Sequence, residues 1–141
     1  MERRSLSYVL DTSVILKWFF FETFSDKAIL FQSALEHEKI RVVVPDLHLY
    51  ELSNALRYKQ FTVNTQIRTI EELLDTGIDI VVPTQELLQL AITVAEQFSI
   101  SIYDACFVAL SVIADCDLVT ADMKLYRKIR GYFNVQLLQE L

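Results

Sequence analysis

Glycine, proline and cysteine occur only twice each in 141 residues. So few backbone breakers exclude a collagen-like, linker-rich or low-complexity chain, whose compositions depend on them. Cys106 and Cys116 stand apart among apolar neighbours, which excludes a CxxC redox pair and the spacing of a zinc site. Both are expected to be buried, reduced thiols of a cytoplasmic protein. Positive charge is also scarce: 13 Lys and Arg against 19 Asp and Glu leave a net charge of −6. Bulk attraction to a polyanion is therefore excluded, and any nucleic-acid contact must be local.

Long apolar runs are missing as well. The longest, Ala105 to Ala114, is about half of what a membrane-spanning helix needs. The apolar stretch that follows Arg3 and Arg4 is broken by Asp11 and Lys17, unlike the core of a signal peptide. The expectation is a soluble protein that is neither exported nor membrane-bound. What the chain does have is 52% hydrophobic residues. A domain of this length buries roughly two thirds of its unfolded surface, so no disulfide or structural metal is required. A mean hydropathy of +0.30 is high for a monomer with this charge, which points to a second copy or a partner covering part of the surface.

Strand and helix signals alternate along the chain. Ser7–Leu10 is a short β-prone run that stops at Asp11, Thr12 and Ser13, residues suited to a turn and a helix start. A helix through Lys17 to Phe20 follows, and Ser25 is expected to cap another reaching about Glu38. Arg41–Val44 reads as a strand buried on both faces and closed by Pro45. Helices are expected from Asp46 through Tyr58 and from Val63 to Asp75, the second stopped by Gly77. Ile78–Val82 is a third strand; Thr84 and Ser101 open helices ending near Phe98 and Ala114. Leu118–Thr120, a helix from Asp122 to Arg130 ended by Gly131, and a strand over Val135–Leu138 complete the chain. Such alternation implies an α/β fold, a parallel sheet sandwiched between helical layers.

In sheets of this kind the working site lies beyond the carboxyl ends of the strands. Asp11 follows the first strand directly and Asp122 follows the fourth. Glu51 lies one to two turns into the helix after the second strand, and Asp104 in the first turn after Ser101. Each acid has a plain structural explanation: Asp104 completes a capping box with Ser101, Asp11 and Asp122 suit helix N-termini, and Glu51 could face solvent. Four of them from separate stretches at one rim are better explained by shared chemistry. Converging carboxylates repel one another, and a hard divalent cation removes that cost. All the donors are oxygens with no His or Cys at zinc spacing, which selects Mg2+ or Mn2+. His37 is expected at the surface. His48, three residues before Glu51, is expected to be hydrogen-bonded or exposed rather than a ligand.

Four fragments now carry a resemblance: Val9-Leu10-Asp11-Thr12-Ser13-Val14, Tyr50-Glu51-Leu52-Ser53-Asn54-Ala55-Leu56, Ser101-Ile102-Tyr103-Asp104-Ala105 and Leu118-Val119-Thr120-Ala121-Asp122. Each alone is common, but together and in this order the chain resembles a PIN domain of the VapC toxin type over nearly its whole length. The resemblance implies a single PIN-like domain over 1–141, a three-layer α/β/α sandwich with five parallel strands in the order 3-2-1-4-5, and a metal-dependent ribonuclease. Asp11, Glu51, Asp104 and Asp122 fill the family's acidic places, and Asn54 and Thr120 its supporting polar places. The expected roles are Asp11 as central ligand, Asp104 and Asp122 as further ligands, and Glu51 as ligand or water-orienting base. Ser13 and Thr120 would hydrogen-bond the carboxylates or a phosphate, and Asn54 would fix Glu51. Partners implied are RNA, a small antitoxin protein and a second copy of the chain.

Local attraction for RNA is expected from Lys17, Arg57 and Lys59, or from Lys124, Arg127, Lys128 and Arg130. Trp18, Phe19, Phe20, Phe21 and Phe24 cannot all enter one core, because consecutive helical positions point in different directions. Two or three are expected inside, the others against a partner. Among rival functions, a phosphoaspartate enzyme of the haloacid-dehalogenase kind would want an acid where Ser13 stands. A catalytically inactive binding module would not need the full acid set. A housekeeping RNA-processing nuclease becomes the better reading if no small open reading frame adjoins the gene.

Overall fold

The computed structural model describes residues 6–141, so Arg3 and Arg4 lie outside the described residues. The chain runs β1 (Leu6–Leu10), α1 (Thr12–Phe19), α2 (Ser25–Glu36), β2 (Ile40–Pro45), α3 (Leu47–Tyr58) and α4 (Val63–Leu74). It continues β3 (Asp79–Val81), α5 (Gln85–Phe98), α6 (Ile102–Ile113), β4 (Asp117–Thr120), α7 (Met123–Ile129) and β5 (Val135–Leu137), then closes with a 3-10 turn over Leu138–Glu140. The five strands form one sheet in the order β3-β2-β1-β4-β5, and every pairing is parallel. This is the α/β order that the resemblance implied. No single helix among the described residues is long and apolar enough to cross a membrane.

Period-two alternation divides the core between the two faces of the sheet. Leu10, Val42, Val44 and Val119 pack with Val14, Ile15 and Trp18 of α1 and with Leu52, Leu56 and Leu73 of α3 and α4. Val9 and Leu118 face the other way, against Leu87, Ala91 and Val94 of α5, Ala105 and Val108 of α6, and Leu125 and Ile129 of α7. Arg41, the second residue of β2, is exposed and pairs with Asp79, while Val42 and Val44 are wholly buried and Val43 partly so, and the strand is covered from its third residue onward.

Several local expectations need correction. The first helix begins at Thr12, immediately after the Asp11 N-cap, and Phe20 is already extended. Ser25 does not cap α2; the preceding residue is Phe24 in the left-handed region, at φ 69°. The Ser25 hydroxyl is occupied elsewhere, accepting from Glu22 N and donating to the Phe20 carbonyl, which ties down the loop between α1 and α2. Both cysteines are free but only half-buried. Gly131 at φ 84° and Gly77 at φ 87° take the left-handed turns expected beyond α7 and α4.

The aromatic run divides between core and surface, with only Trp18 and Phe19 inside the helix. Trp18 and Phe20 are buried, Trp18 donating to the Ala28 carbonyl at 2.8 Å and Phe20 stacking on Phe61 at 5.4 Å between centroids. Phe19 and Phe24 are half-buried, and Phe21 is fully exposed.

Candidate active site

β1 sits at the centre of the sheet, and the chain leaves it toward β2 on one side and reaches β4 on the other. The crevice of such a sheet opens where the strand order reverses, here between the carboxyl ends of β1 and β4. Two backbone-level ties hold those ends together. Asp11 N donates to the Val119 carbonyl at 3.1 Å, and Ala121 N donates to Ser13 Oγ at 3.0 Å.

Asp11 is the N-cap of α1, and it is buried. Its Oδ1 accepts from Ser13 N at 2.9 Å and from the Ser13 hydroxyl. Burial raises its carboxyl from 3.8 to about 6; the Ser13 and Thr120 hydroxyls oppose the rise, and the charge of Asp104 adds to it. Asp122 caps α7, accepting from Leu125 N at 3.1 Å, while its own amide donates to Thr120 Oγ1 at 3.0 Å. Thr120 is fully buried at the end of β4 and so fixes the turn that carries Asp122. Asp104 stands in the first turn of α6, where its amide donates to Ser101 Oγ at 3.0 Å, as the capping box requires. Burial raises its carboxyl and repulsion from Asp122 raises it further, against the pull of Ser101 and Lys128.

Glu51 is half-buried in the second turn of α3 rather than turned to solvent. Its carboxyl is raised first by burial and then by the charge of Asp104, while a hydrogen bond from Thr12 acts the other way. The Thr12 hydroxyl donates to Glu51 Oε1 at 2.8 Å and lies 2.9 Å from His48 Nδ1. Asp104 thus feels or exerts repulsion toward each of the other three acids. Carboxylates from four elements lie at one edge, and repulsion disfavours the charge of Asp11, Glu51 and Asp104.

Asn54 departs from its expected role. It is exposed and makes no hydrogen bond to Glu51, whose carboxylate is held from α1 instead. Thr12 is a contributor that the sequence did not single out, while His48, expected to be hydrogen-bonded or exposed, is buried and hydrogen-bonded to Thr12. The signal was present, since His48 precedes Glu51 by three residues and so shares its helix face, and Thr12 adjoins Asp11. Of the proposed basic groups, Lys17 and Lys59 are both engaged by Glu22, at 3.2 and 3.8 Å. Lys124, Arg127, Lys128 and Arg130 on and beside α7 are exposed, with Lys128 near enough to Asp104 to lower its carboxyl.

Among the described residues, no group of three or more His, Cys, Asp and Glu side chains is drawn together tightly enough to hold an ion unaided. Calcium and structural zinc require such a cage. Magnesium does not, since it keeps several waters and takes one or two carboxylates. An all-oxygen donor set in which the charges of Asp11, Glu51 and Asp104 are disfavoured fits a small, hydrated divalent cation.

The chain belongs to the PIN domain family, whose model matches residues 8–130. Its fold is similar to that of a toxin-antitoxin complex from Klebsiella pneumoniae, at 15% identity and TM-score 0.70, covering 93% of this chain and 97% of that one. It is similar also to VapBC-1 from nontypeable Haemophilus influenzae, at 18% identity and TM-score 0.69 over 95% and 99% of the two chains. FitAcB from Neisseria gonorrhoeae aligns at 15% identity and TM-score 0.68 over 95% and 99%. At these identities the likeness is one of fold. No curated protein matches the sequence.

Proposed function

We propose that this chain is a metal-dependent endoribonuclease, the toxin of a toxin-antitoxin pair. The observation that carries the reading is that Asp11, Glu51, Asp104 and Asp122 lie at the switch-point edge with repulsion acting between Asp104 and each of the other three, which the pull of Lys128 on Asp104 only partly offsets. Asp11, Asp104 and Asp122 would hold Mg2+ or Mn2+, directly or through water. When bound, the ion supplies an acidified water and offsets the charge that develops on a phosphodiester. The protein's own groups do the positioning. Ser13 and Thr120 keep Asp11 and Asp122 aimed at the edge, and Glu51 orients the attacking water and accepts its proton. The water oxygen bonds to phosphorus, the far ester oxygen departs, and the chain is cut.

Charge makes the cation necessary for substrate as well as for chemistry. The protein carries −6, and two divalent ions would bring it to −6 + 4 = −2. The exposed cations of α7 then extend a local path for the RNA backbone. Exposed Phe21, Tyr50 and Tyr58 are available to an antitoxin or to a second copy of the chain. RNA cleavage by the purified chain with Mg2+ or Mn2+ tests the reading, compared with EDTA and with Asp11→Asn. Absence of metal-dependent cleavage of any RNA overturns it and leaves a PIN-fold binding module. Silencing of that cleavage by the product of an adjacent small open reading frame separates a toxin from a housekeeping nuclease.

A further inference from the structure

Thr12 and His48 stand in one line with Glu51 and have no task in the mechanism above. The Thr12 hydroxyl has one proton and a carboxylate has none, so the proton goes to Glu51 Oε1, 2.8 Å away. The oxygen lone pair of Thr12 then faces His48 Nδ1 at 2.9 Å, and Nδ1 must be the ring nitrogen that carries hydrogen and donates. His48 is fully buried, and among the described residues its Nε2 has no hydrogen-bond partner. Burial also lowers the ring from 6.5 to about 4, so it carries a single N–H at neutral pH.

A buried nitrogen without a partner destabilises a fold, and an apolar side chain would avoid that cost. His48 has Leu47 and Leu49 beside it in sequence, on a helix that packs Leu52 and Leu56, four and eight residues on, into the core. What a histidine offers there and a leucine does not is the donor to Thr12. We propose that His48 is a positioning residue: its Nδ1–H turns the Thr12 hydroxyl so that its hydrogen engages Glu51 Oε1, leaving Oε2 as the oxygen presented to the reaction. What Glu51 then does rests on the nuclease reading above; the hydrogen-bonded line itself does not.

The test has two arms. The chain holds only His37 and His48, so 15N-labelled protein gives two imidazoles, told apart by His37→Gln. His48 is expected protonated at Nδ1 alone at neutral pH, with the preference for Nδ1 weakened in Thr12→Val; a ring protonated at Nε2, or one unchanged in Thr12→Val, overturns the proposal. In the second arm, RNA cleavage is followed with Mg2+. Thr12→Val and His48→Leu are expected to lower kcat about 10–100-fold, the usual effect of losing a partner that orients a metal-site group. KM for RNA should stay near its original value. Thr12→Ser keeps the hydroxyl and His48→Asn keeps a donor near the place of Nδ1, so both are expected to cleave better than the apolar variants. His48→Asn should do so although it melts no higher than His48→Leu, a pattern that a purely structural role would reverse. Wild-type rates in His48→Leu overturn the proposal. If the wild-type chain cleaves no RNA, the nuclease reading fails, and the proton position on His48 alone decides whether the line exists.

Discussion

Asp11→Asn should make the metal-free protein more stable while ending its chemistry. Asp11 titrates near 3.8 when unfolded and at about 6 in the fold, chiefly because it is buried. A raised folded pKa favours the protonated carboxyl. The stability that this group contributes is therefore fully present below 3.8 and lost as the pH rises through about 6. The difference is worth about 3 kcal/mol at 1.36 kcal/mol per pH unit. Asparagine removes the charge yet keeps the Oδ1 acceptor for Ser13 N and the Ser13 hydroxyl. Its new amide nitrogen gives back part of the gain, leaving about 1–3 kcal/mol at pH 8 in EDTA. Urea unfolding of both proteins from pH 4 to pH 8 measures this, and the two curves should converge at the acid end. Excess Mg2+ should then close or reverse the gap, because an ion held only by the folded wild type adds about 2.7 kcal/mol at 100 times its Kd. An asparagine variant no more stable than wild type at pH 8 in EDTA, or with the same advantage at pH 4, would refute the account of a strained acidic edge.

Other perturbations follow from the same structure. His48 is lowered from 6.5 to about 4, so its contribution is present above 6.5 and lost as the pH falls through 4, about 3 kcal/mol in all. His48→Leu should flatten that acid limb in an unfolding series. Phe20→Ala should cost about 3–5 kcal/mol through loss of a buried ring stacked on Phe61, whereas Phe21→Ala should fall within about 0.5 kcal/mol of wild type by thermal melting. Gly131→Ala has open space for its methyl group but retains φ 84°, so a loss of about 1–2 kcal/mol would report backbone conformation alone.

The strands and most helices were legible because a parallel sheet buried on both faces leaves continuous apolar runs, as in Val42-Val43-Val44, between polar starts such as Thr84 and Ser101. Those two serve as the N-caps expected, each accepting from the amide three residues on. The edge bearing Asp11 and Asp122 was legible for the same reason, since topology alone carries the end of each strand to one rim. What could not be read was the assignment of hydroxyls. Ser25 looked like a cap and instead bridges a loop, and Asn54 looked like Glu51's support while Thr12 provides it. Side-chain donors reach partners 36 to 39 positions away along the chain, and local pattern carries no record of that choice. Phe21 was foreseeable only as one exposed ring among five.

The ties from Asp11 to Val119 and from Ala121 to Ser13 have a consequence for how the protein fails. They anchor the acidic rim to the two innermost ribbons of the sheet, which open last when a protein breathes. Fraying of the far edge strand β3 would leave the Asp11 and Asp122 part of the rim assembled, whereas the C-terminal turn belongs to that part through Gln139, whose side-chain amide donates to the Ala121 carbonyl at 2.9 Å. Loss of the sheet's far margin therefore leaves these two acids in place until its centre opens.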